Sequence, residues 1–508
     1  MRYGFVIDHN RCIGCHACTV ACKEEHDVPL GVYRTWVKYI EKGEFPDTRR
    51  YFGVLRCNHC DDAPCVEICP TVSLFRRSDG IVDFDGERCI GCKSCMQACP
   101  YDALYIDPRT QTAAKCNFCA HRVEVGLEPA CVIVCPEQAI VSGDLDDRES
   151  KISRIVATQK VSMRKPGKGT KPKLFYTGID EDLLQPTMIE PQSSHLWAEK
   201  APAEDLYAAV QEHNQRKAAG TAREVYDVSH PQLWGRNIAS YLCTKSIAAG
   251  VLMVAAFLLQ SGFESERWLL NVASPALALL FLAATTFLLV VDLKRPERFY
   301  YLLTKPNLKS WLVLGGYILI VYGAVAFVWL SIGLAGNAPP KLLVLLAVAL
   351  AAGAAGYSAF LFAQAKGRDL WQSPLFLWHL LVQAVVAGAA TLLLAGLATG
   401  GSPDHFEALG RVLFVGLLLS LAMILGEACQ KHMSEDVTRA TDLLKKGALR
   451  KSFWGGAIGL GTVLPLALLG LSAEVSSSAY ALASIAALAG LWIFEDLWIK
   501  AGQSVPLS

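Results

Sequence analysis

Beyond residue 236 the chain is nearly free of cysteine and poor in charge: only Cys243 and Cys429 fall there, whereas sixteen of the eighteen cysteines lie between Cys12 and Cys135. At 508 residues it is too long for one ordinary domain, and this break in composition divides it. There is no basic face interleaved with aromatics and the formal net charge is only +1, so nothing points to nucleic acid. The first residues lack a positively charged segment followed by an apolar one, so the cysteines are not expected to form the disulfide framework of an exported protein. Arg49-Arg50 ahead of Tyr51-Phe52 looks superficially like a twin-arginine signal, but it lies between cysteine groups and reads as surface loop. No recognisable nucleotide or pterin site occurs either. Substrate chemistry is therefore expected on another polypeptide.

The cysteines form four groups of four. Cys12, Cys15, Cys18 and Cys22 make the first, and Cys57, Cys60, Cys65 and Cys69, followed by Pro70, the second. Cys89, Cys92, Cys95 and Cys99, followed by Pro100, make the third, and Cys116, Cys119, Cys131 and Cys135, followed by Pro136, the fourth. The first and third have C-x2-C-x2-C-x3-C spacing, which in bacterial ferredoxins gives three thiolates to one cubane and the fourth to its neighbour. Each iron of a cubane takes one external ligand, and soft thiolate suits it better than imidazole or carboxylate. Sixteen thiolates thus match four [4Fe-4S] clusters. Gly14 and Gly91, each just before the second cysteine of its group, are expected to supply unusual dihedrals and close backbone approach. The prolines end each ligand segment and redirect the chain. Structural zinc is the alternative for paired C-x2-C units, but it needs neither the third cysteine nor the C-x3-C-P ending. Short strands are expected at 81–84 and 103–106, the second closed by a turn at Asp107-Pro108.

On these four groups, and the longer gap between Cys119 and Cys131, residues 1 to about 180 resemble the four-cluster iron-sulfur subunits of the DMSO reductase and polysulfide reductase type. The resemblance implies two pseudo-symmetric ferredoxin modules with crossed ligation. By position it gives one cluster Cys12, Cys15, Cys18 and Cys135, and its pair Cys22, Cys116, Cys119 and Cys131. The other module would use Cys57, Cys60, Cys65 and Cys99, then Cys69, Cys89, Cys92 and Cys95. Every ligand position holds cysteine, so no [3Fe-4S] cluster is expected.

Residues 1–141 are thus read as an α+β ferredoxin-like double module, 142–236 as a polar linker, and 237–508 as an all-α eight-helix transmembrane bundle. Within the linker, Lys160, Arg164, Lys165, Lys168, Lys171 and Lys173 suit an extended segment against acidic headgroups or a partner, or a solvated loop. Residues 204–219 read as a surface helix.

A span of the hydrocarbon core takes about 20 apolar residues. Eight runs qualify, near 238–261, 268–291, 311–333, 341–364, 374–398, 408–429, 453–471 and 477–498, with Trp268, Trp311, Trp378 and Trp498 near their ends. An even number returns the chain to the side of the iron-sulfur region. That side carries fourteen lysines and arginines, from Lys294 to Lys500, against Arg267, Lys341 and Arg411 on the other. The positive-inside rule then puts the clusters in the cytoplasm, at the inner membrane. Export in company with a signal-bearing partner is the competing reading.

Asp292-Leu-Lys-Arg-Pro-Glu-Arg-Phe299, Lys309-Ser-Trp311 and Ala501-Gly-Gln-Ser-Val-Pro506 make this half resemble the NrfD-like membrane subunits of polysulfide reductase. The resemblance implies a quinone site, menaquinone or ubiquinone, near the iron-sulfur region, and no haem. A haem would usually need two facing histidines, and His379 is the only one well inside a span. Charged and polar residues within spans are functional candidates. Lys245, Asp292, Gln364, His379, Gln383 and Glu427 all map to the cytoplasmic leaflet, where they could serve a quinone headgroup. Each has a plainer reading. Lys245 can snorkel to headgroups, Asp292 can pair with Arg295, His379 can bond a neighbouring helix, and Glu427 and Glu495 can be interface charges. The outer leaflet offers no mid-span acid, hence no evident proton path.

The expected function is electron transfer and membrane anchoring for a quinone-linked oxidoreductase, with a molybdenum or tungsten bis-pterin catalytic partner implied by the resemblance. A redox-driven ion-translocating subunit and a stand-alone ferredoxin:quinone oxidoreductase are the alternatives. Sulfur oxyanions, polysulfide, formate, arsenic oxyanions and sulfoxides are all open as terminal substrates.

Overall fold

The computed structural model describes residues 1–508 except 44–45, 191–221, 264–265, 430–433 and 471–474; the helix expected at 204–219 lies outside the described residues. Among the described residues eleven strands occur: β1 Tyr3–Asp8, β2 Thr35–Lys42, β3 Arg49–Arg56, β4 Leu74–Arg76, β5 Val82–Phe84, β6 Leu104–Ile106, β7 Ala113–Lys115, β8 Ile140–Asp144, β9 Leu174–Thr177, β10 Ile189–Glu190 and β11 Ala222–Tyr226. The strands expected at 81–84 and 103–106 are β5 and β6, each the half of a hairpin that follows a cysteine-rich turn. Arg49-Arg50 opens β3 rather than a loop, with both side chains exposed at the free end of the β2–β3 hairpin.

β1 is the centre of a sheet ordered β8-β1-β9, antiparallel to β8 and parallel to β9. Its run Phe5-Val6-Ile7 is buried on both faces: Phe5 and Ile7 pack on Phe118 and Tyr176, and Val6 on Ile152 of the helix behind. β8, β9, β10 and β11 are all wholly or mostly in the stretch read as linker. Strands of two to five residues among lysines carry too little periodicity to be recognised without their partners.

The basic stretch is neither lipid-facing nor solvated throughout. Arg164 and Lys173 are buried; Arg164 donates to Leu507 O at 2.8 Å and Lys173 to Asp61 at 3.1 Å. Lys168 meets Asp369 of the membrane half.

Among the described residues eight helices are long and apolar enough to cross a membrane: Arg236–Gln260, Leu269–Val291, Trp311–Leu334, Lys341–Gln364, Phe376–Thr399, Pro403–Ala428, Ser452–Gly470 and Ser477–Ser504, here called the first to eighth spans. The first and fifth are the most enclosed. They meet at Gly250 and Gly388, where a Cβ on Gly250 would fall 1.7 Å from Ala384 O, so backbone lies on backbone. Gly388→Ala is expected to cost about 1–3 kcal/mol by overpacking, read as a lower unfolding temperature in detergent with unchanged iron content.

The iron-sulfur region sits on one end of this bundle. Lys294 N donates to Gly91 O at 3.3 Å and Arg295 N to Ile90 O at 3.2 Å. Arg298 reaches Gly86 O and Cys89 O, Asn307 reaches Cys69 O at 2.8 Å, and Ser310 reaches Ile68 O at 2.7 Å. Trp234 Nε1 donates to Cys92 O at 3.4 Å. Gln503 bonds Gln97 and the backbone of Trp234, and Arg368 ties Gln97 to Val505 O. Beside this contact His230 lies 2.5 Å from Asp102 and 3.4 Å from Asp227. Burial opposes its charge, but the two carboxylates prevail and hold its pKa up at about 10, so the imidazolium persists at neutral pH.

Candidate functional site

The identical spacing of the first and third cysteine groups folds into identical loops. Gly14 and Gly91 have φ +71° and +68°, and His16 and Lys93, one position after the second cysteine, have φ 61° and 63°. These turns point successive cysteines inward. A Cβ on Gly14 would fall 2.4 Å from the Phe52 ring, so a larger residue would push the ligand loop off β3.

The thiols gather across groups. Cys12, Cys15, Cys18 and Cys135 line one pocket with Val37, Val54 and Pro136. Cys57, Cys60, Cys65 and Cys99 line another with Val82, Tyr101 and Leu104. Cys22 interacts with Cys116, Cys119 and Cys131, and Cys95 with Cys69, Cys89 and Cys92. These are the four sets that crossed ligation requires.

The surroundings fit iron-sulfur cubanes. Backbone N–H groups already point at sulfur: Ala113 N lies 3.3 Å from Cys89 Sγ, Ala139 N 3.3 Å from Cys135 Sγ and Leu74 N 3.5 Å from Cys69 Sγ. His26 Nε2 is 3.1 Å from Cys119 Sγ. Arg56, almost wholly buried, puts Nη1 3.0 Å from Cys131 Sγ while its Nε and Nη2 have no partner, as expected beside an anionic group that would accept from them. Burial pushes the Cys18, Cys99 and Cys116 thiols up to about 11 and Cys92 to about 12. Thiols this reluctant to ionise in isolation become thiolates by bonding to metal.

The sets also have an order. Cys18 lies within electrostatic range of Cys131, Cys116 of Cys57, and Cys95 of Cys65. The set containing Cys15, the one exposed thiol of the sixteen, is at the far end. The set containing Cys69, Cys89, Cys92 and Cys95 is at the near end, on the loops that grip the spans.

The six sequence candidates for quinone binding do not converge on one point. Asp292 pairs with Lys93 at 2.8 Å, not with Arg295, so its carboxylate clasps the loop between Cys92 and Cys95. Lys245 does not snorkel: it is fully buried, donating to Ala355 O at 2.6 Å and Ser358 Oγ at 2.9 Å, with Tyr357 5.0 Å away. His379 lies 3.5 Å from Glu427 and against Phe494, and Ser373 donates to Glu427. Gln383, one turn further in, is buried with its carbonyl oxygen unpartnered. Gln364 is structural, joining Trp311 N at 3.0 Å to Lys309 O at 2.7 Å.

Glu495 is the residue misjudged in sequence. It is 1% exposed and neither carboxyl oxygen has a partner. The signal was available: Asp496 pairs with Lys500 at i+4, whereas the i−4 and i+4 neighbours of Glu495 are Leu491 and Ile499, which puts Glu495 on the apolar, inward face.

Fold and cysteine geometry together define a multi-pass membrane protein with a ferredoxin-type iron-sulfur region. By its match to the family described as "Polysulphide reductase, NrfD" over residues 224–506, the protein belongs to that family. Residues 49–145 match a 4Fe-4S dicluster domain and 9–28 a 4Fe-4S binding domain, so the cysteine-rich region carries 4Fe-4S clusters. Among relatives, a tetrathionate reductase subunit of Salmonella typhimurium is 44% identical over 202 residues, 39% of this chain and 80% of that protein. A polysulfide reductase chain of Wolinella succinogenes is 45% identical over 179 residues, 34% of this chain and 93% of that protein. An arsenate respiratory reductase iron-sulfur subunit of a Shewanella species, ArrB, is 35% identical over 226 residues, 35% of this chain and 96% of that protein. The chain is an electron-transfer iron-sulfur unit fused to an NrfD membrane anchor.

Proposed function

We propose that this chain carries electrons between a membrane quinone and a separate molybdenum or tungsten bis-pterin subunit through four [4Fe-4S] clusters, held by the four crossed cysteine sets described above. When bound, each cluster supplies one-electron redox chemistry. The observation that carries the reading is the unbroken line of sets from exposed Cys15 to Cys92, whose carbonyl meets Trp234, two residues before the first span. Beneath that contact Tyr241 shares an apolar core with Cys69, Cys89 and Cys95, and one turn deeper comes Lys245.

Lys245 is the group best suited to a quinone carbonyl. Two of its three N–H bonds are taken by Ala355 O and Ser358 Oγ, which aim the ammonium and leave one donor free. Asp292 acts at one remove by fixing Lys93. The His379–Glu427 pair and Gln383 border the same leaflet from the fifth and sixth spans. The test is reduction of the clusters in proteoliposomes by menaquinol or ubiquinol. Lys245→Ala should slow it about 100-fold at unchanged iron content, the scale of a lost proton-transfer or orienting group; equal rates would sink the site.

Two features support a catalytic partner over a stand-alone oxidoreductase. Ile13, Val20, Val125, Leu127 and Ile133 are exposed on the loops and helices carrying the far set and its neighbour, an apolar surface of the kind that interfaces cover. The relatives are also named as parts of tetrathionate, polysulfide and arsenate reductases. Purification from native membranes should recover a second polypeptide. The loop charges support a cytoplasmic iron-sulfur region at the inner membrane. Protease added to inside-out vesicles should cut that region, and protease added to right-side-out vesicles should not.

A further inference from the structure

Lys245 stands nine residues into the first span and Glu495 nine residues before the end of the antiparallel eighth, so at 1.5 Å per residue both lie about 14 Å in from the iron-sulfur end. The two bear on each other electrostatically, yet among the described residues no ion pair joins them. Lys245 is held back by Ala355 O and Ser358 Oγ of the fourth span. Glu495 is the only acid among the described residues whose buried oxygens both lack a hydrogen bond. An unpartnered carboxyl at membrane depth is costly and marks function by default. A donor and an unsatisfied acceptor thus stand at one level without meeting, and a group that accepts from the one and donates to the other would satisfy both.

We infer that Glu495 is the proton acceptor for a quinol bound against Lys245; this rests on the quinone site proposed above. In the step a quinol O–H bond breaks and an O–H bond forms on a carboxyl oxygen of Glu495; the electron released would go to a cluster held by Cys69, Cys89, Cys92 and Cys95. The second hydroxyl would repeat the step once Glu495 had released its proton to the aqueous phase and the first electron had moved on. Each quinol thus yields two protons and two electrons and leaves as quinone, with Lys245 donating to the carbonyl formed. Cys243 and Tyr241 of the first span also lie within electrostatic range of Glu495, but a thiol and a phenol at that depth are poor proton acceptors compared with a carboxylate.

The test uses the full chain in proteoliposomes with short-chain ubiquinol as the probe, following cluster bleaching and the infrared difference between oxidised and quinol-reduced protein. Glu495→Gln should slow bleaching about 100-fold at full iron content and remove a protonated-carboxyl C=O band from the difference spectrum. Glu495→Asp should restore bleaching to within about tenfold and shift that band. Wild-type bleaching rate in Glu495→Gln, or a retained band, overturns the inference and leaves the quinone site standing. A wild-type protein inert to quinol defeats the quinone reading itself. Should Glu495→Gln fail to assemble, Glu495→Asp decides: a shifted carboxyl band supports the acceptor role, and an unmoved one overturns it.

Discussion

Cys92→Ser and Cys15→Ser are expected to give opposite phenotypes, although both remove a thiolate from the same C-x2-C-x2-C-x3-C spacing. Cys92 belongs to the set gripped by the spans, its carbonyl oxygen accepting from Trp234. If electrons enter there, losing that cluster leaves the other three unreachable from quinol, and bleaching should fall to background even though a chemical reductant still reduces them. Cys15 belongs to the set at the far end and is the exposed thiol of the sixteen. Its loss should leave quinol reduction of the remaining clusters intact and stop only delivery onward, to a partner or a soluble acceptor. The order rests on the couplings of Cys95 with Cys65, Cys57 with Cys116, and Cys131 with Cys18. Indistinguishable quinol kinetics in the two variants would mean that the line of sets is not the electron path.

The parts of this molecule that sequence revealed are those whose chemistry is local. Three cysteines on one turn must present their sulfurs together, so Cys12 to Cys18 and Cys89 to Cys95 announced themselves, as did Gly14 and Gly91. Apolar runs of span length read equally well, because a helix in lipid satisfies its own backbone and needs no partner to be recognised. What stayed hidden depends on residues far apart in the chain. Asp292 was read as a quinone candidate, with Arg295 three residues away as its plainer partner, and instead meets Lys93 from the other half. Lys245 was weighed as a snorkelling charge because nothing nearby in sequence shows that Ala355 and Ser358 enclose it. The linker hid β8 and β9 because their pairing with β1 spans more than 130 residues of sequence for each strand, from Tyr3 to Asp144 and from Phe5 to Leu174. The docking contacts also recast the basic loops. Lys294, Arg295 and Arg298 sit among the positive charges that orient the bundle, and the same residues, by backbone or side chain, hold the near cysteine loop.

Arg56→Met should be the most damaging single change among residues that ligate nothing. Arg56 closes β3, lies wholly within the iron-sulfur region and stacks its guanidinium 4.7 Å from the Phe5 ring. Its Nη1 is 3.0 Å from Cys131 Sγ, and Cys18 and Cys116 also bear on it, so one cation serves thiols of two neighbouring sets. A buried charge of this kind stabilises only because it is paired; removing one side of such a pair costs about 3–5 kcal/mol, since the other is left uncompensated. Here the side left behind is anionic thiolate and cluster. Two consequences follow from the same cause. The clusters of the first and fourth groups should become harder to reduce, because added negative charge finds no cation beside it, and iron should be lost more readily from those two than from the membrane-facing pair. Arg56→Lys keeps the charge but not the fork of donors, and is expected to recover the potential more than the stability. Redox titration followed by EPR separates these outcomes. Unchanged midpoint potentials in Arg56→Met, with iron content intact, would show that the guanidinium supports packing alone.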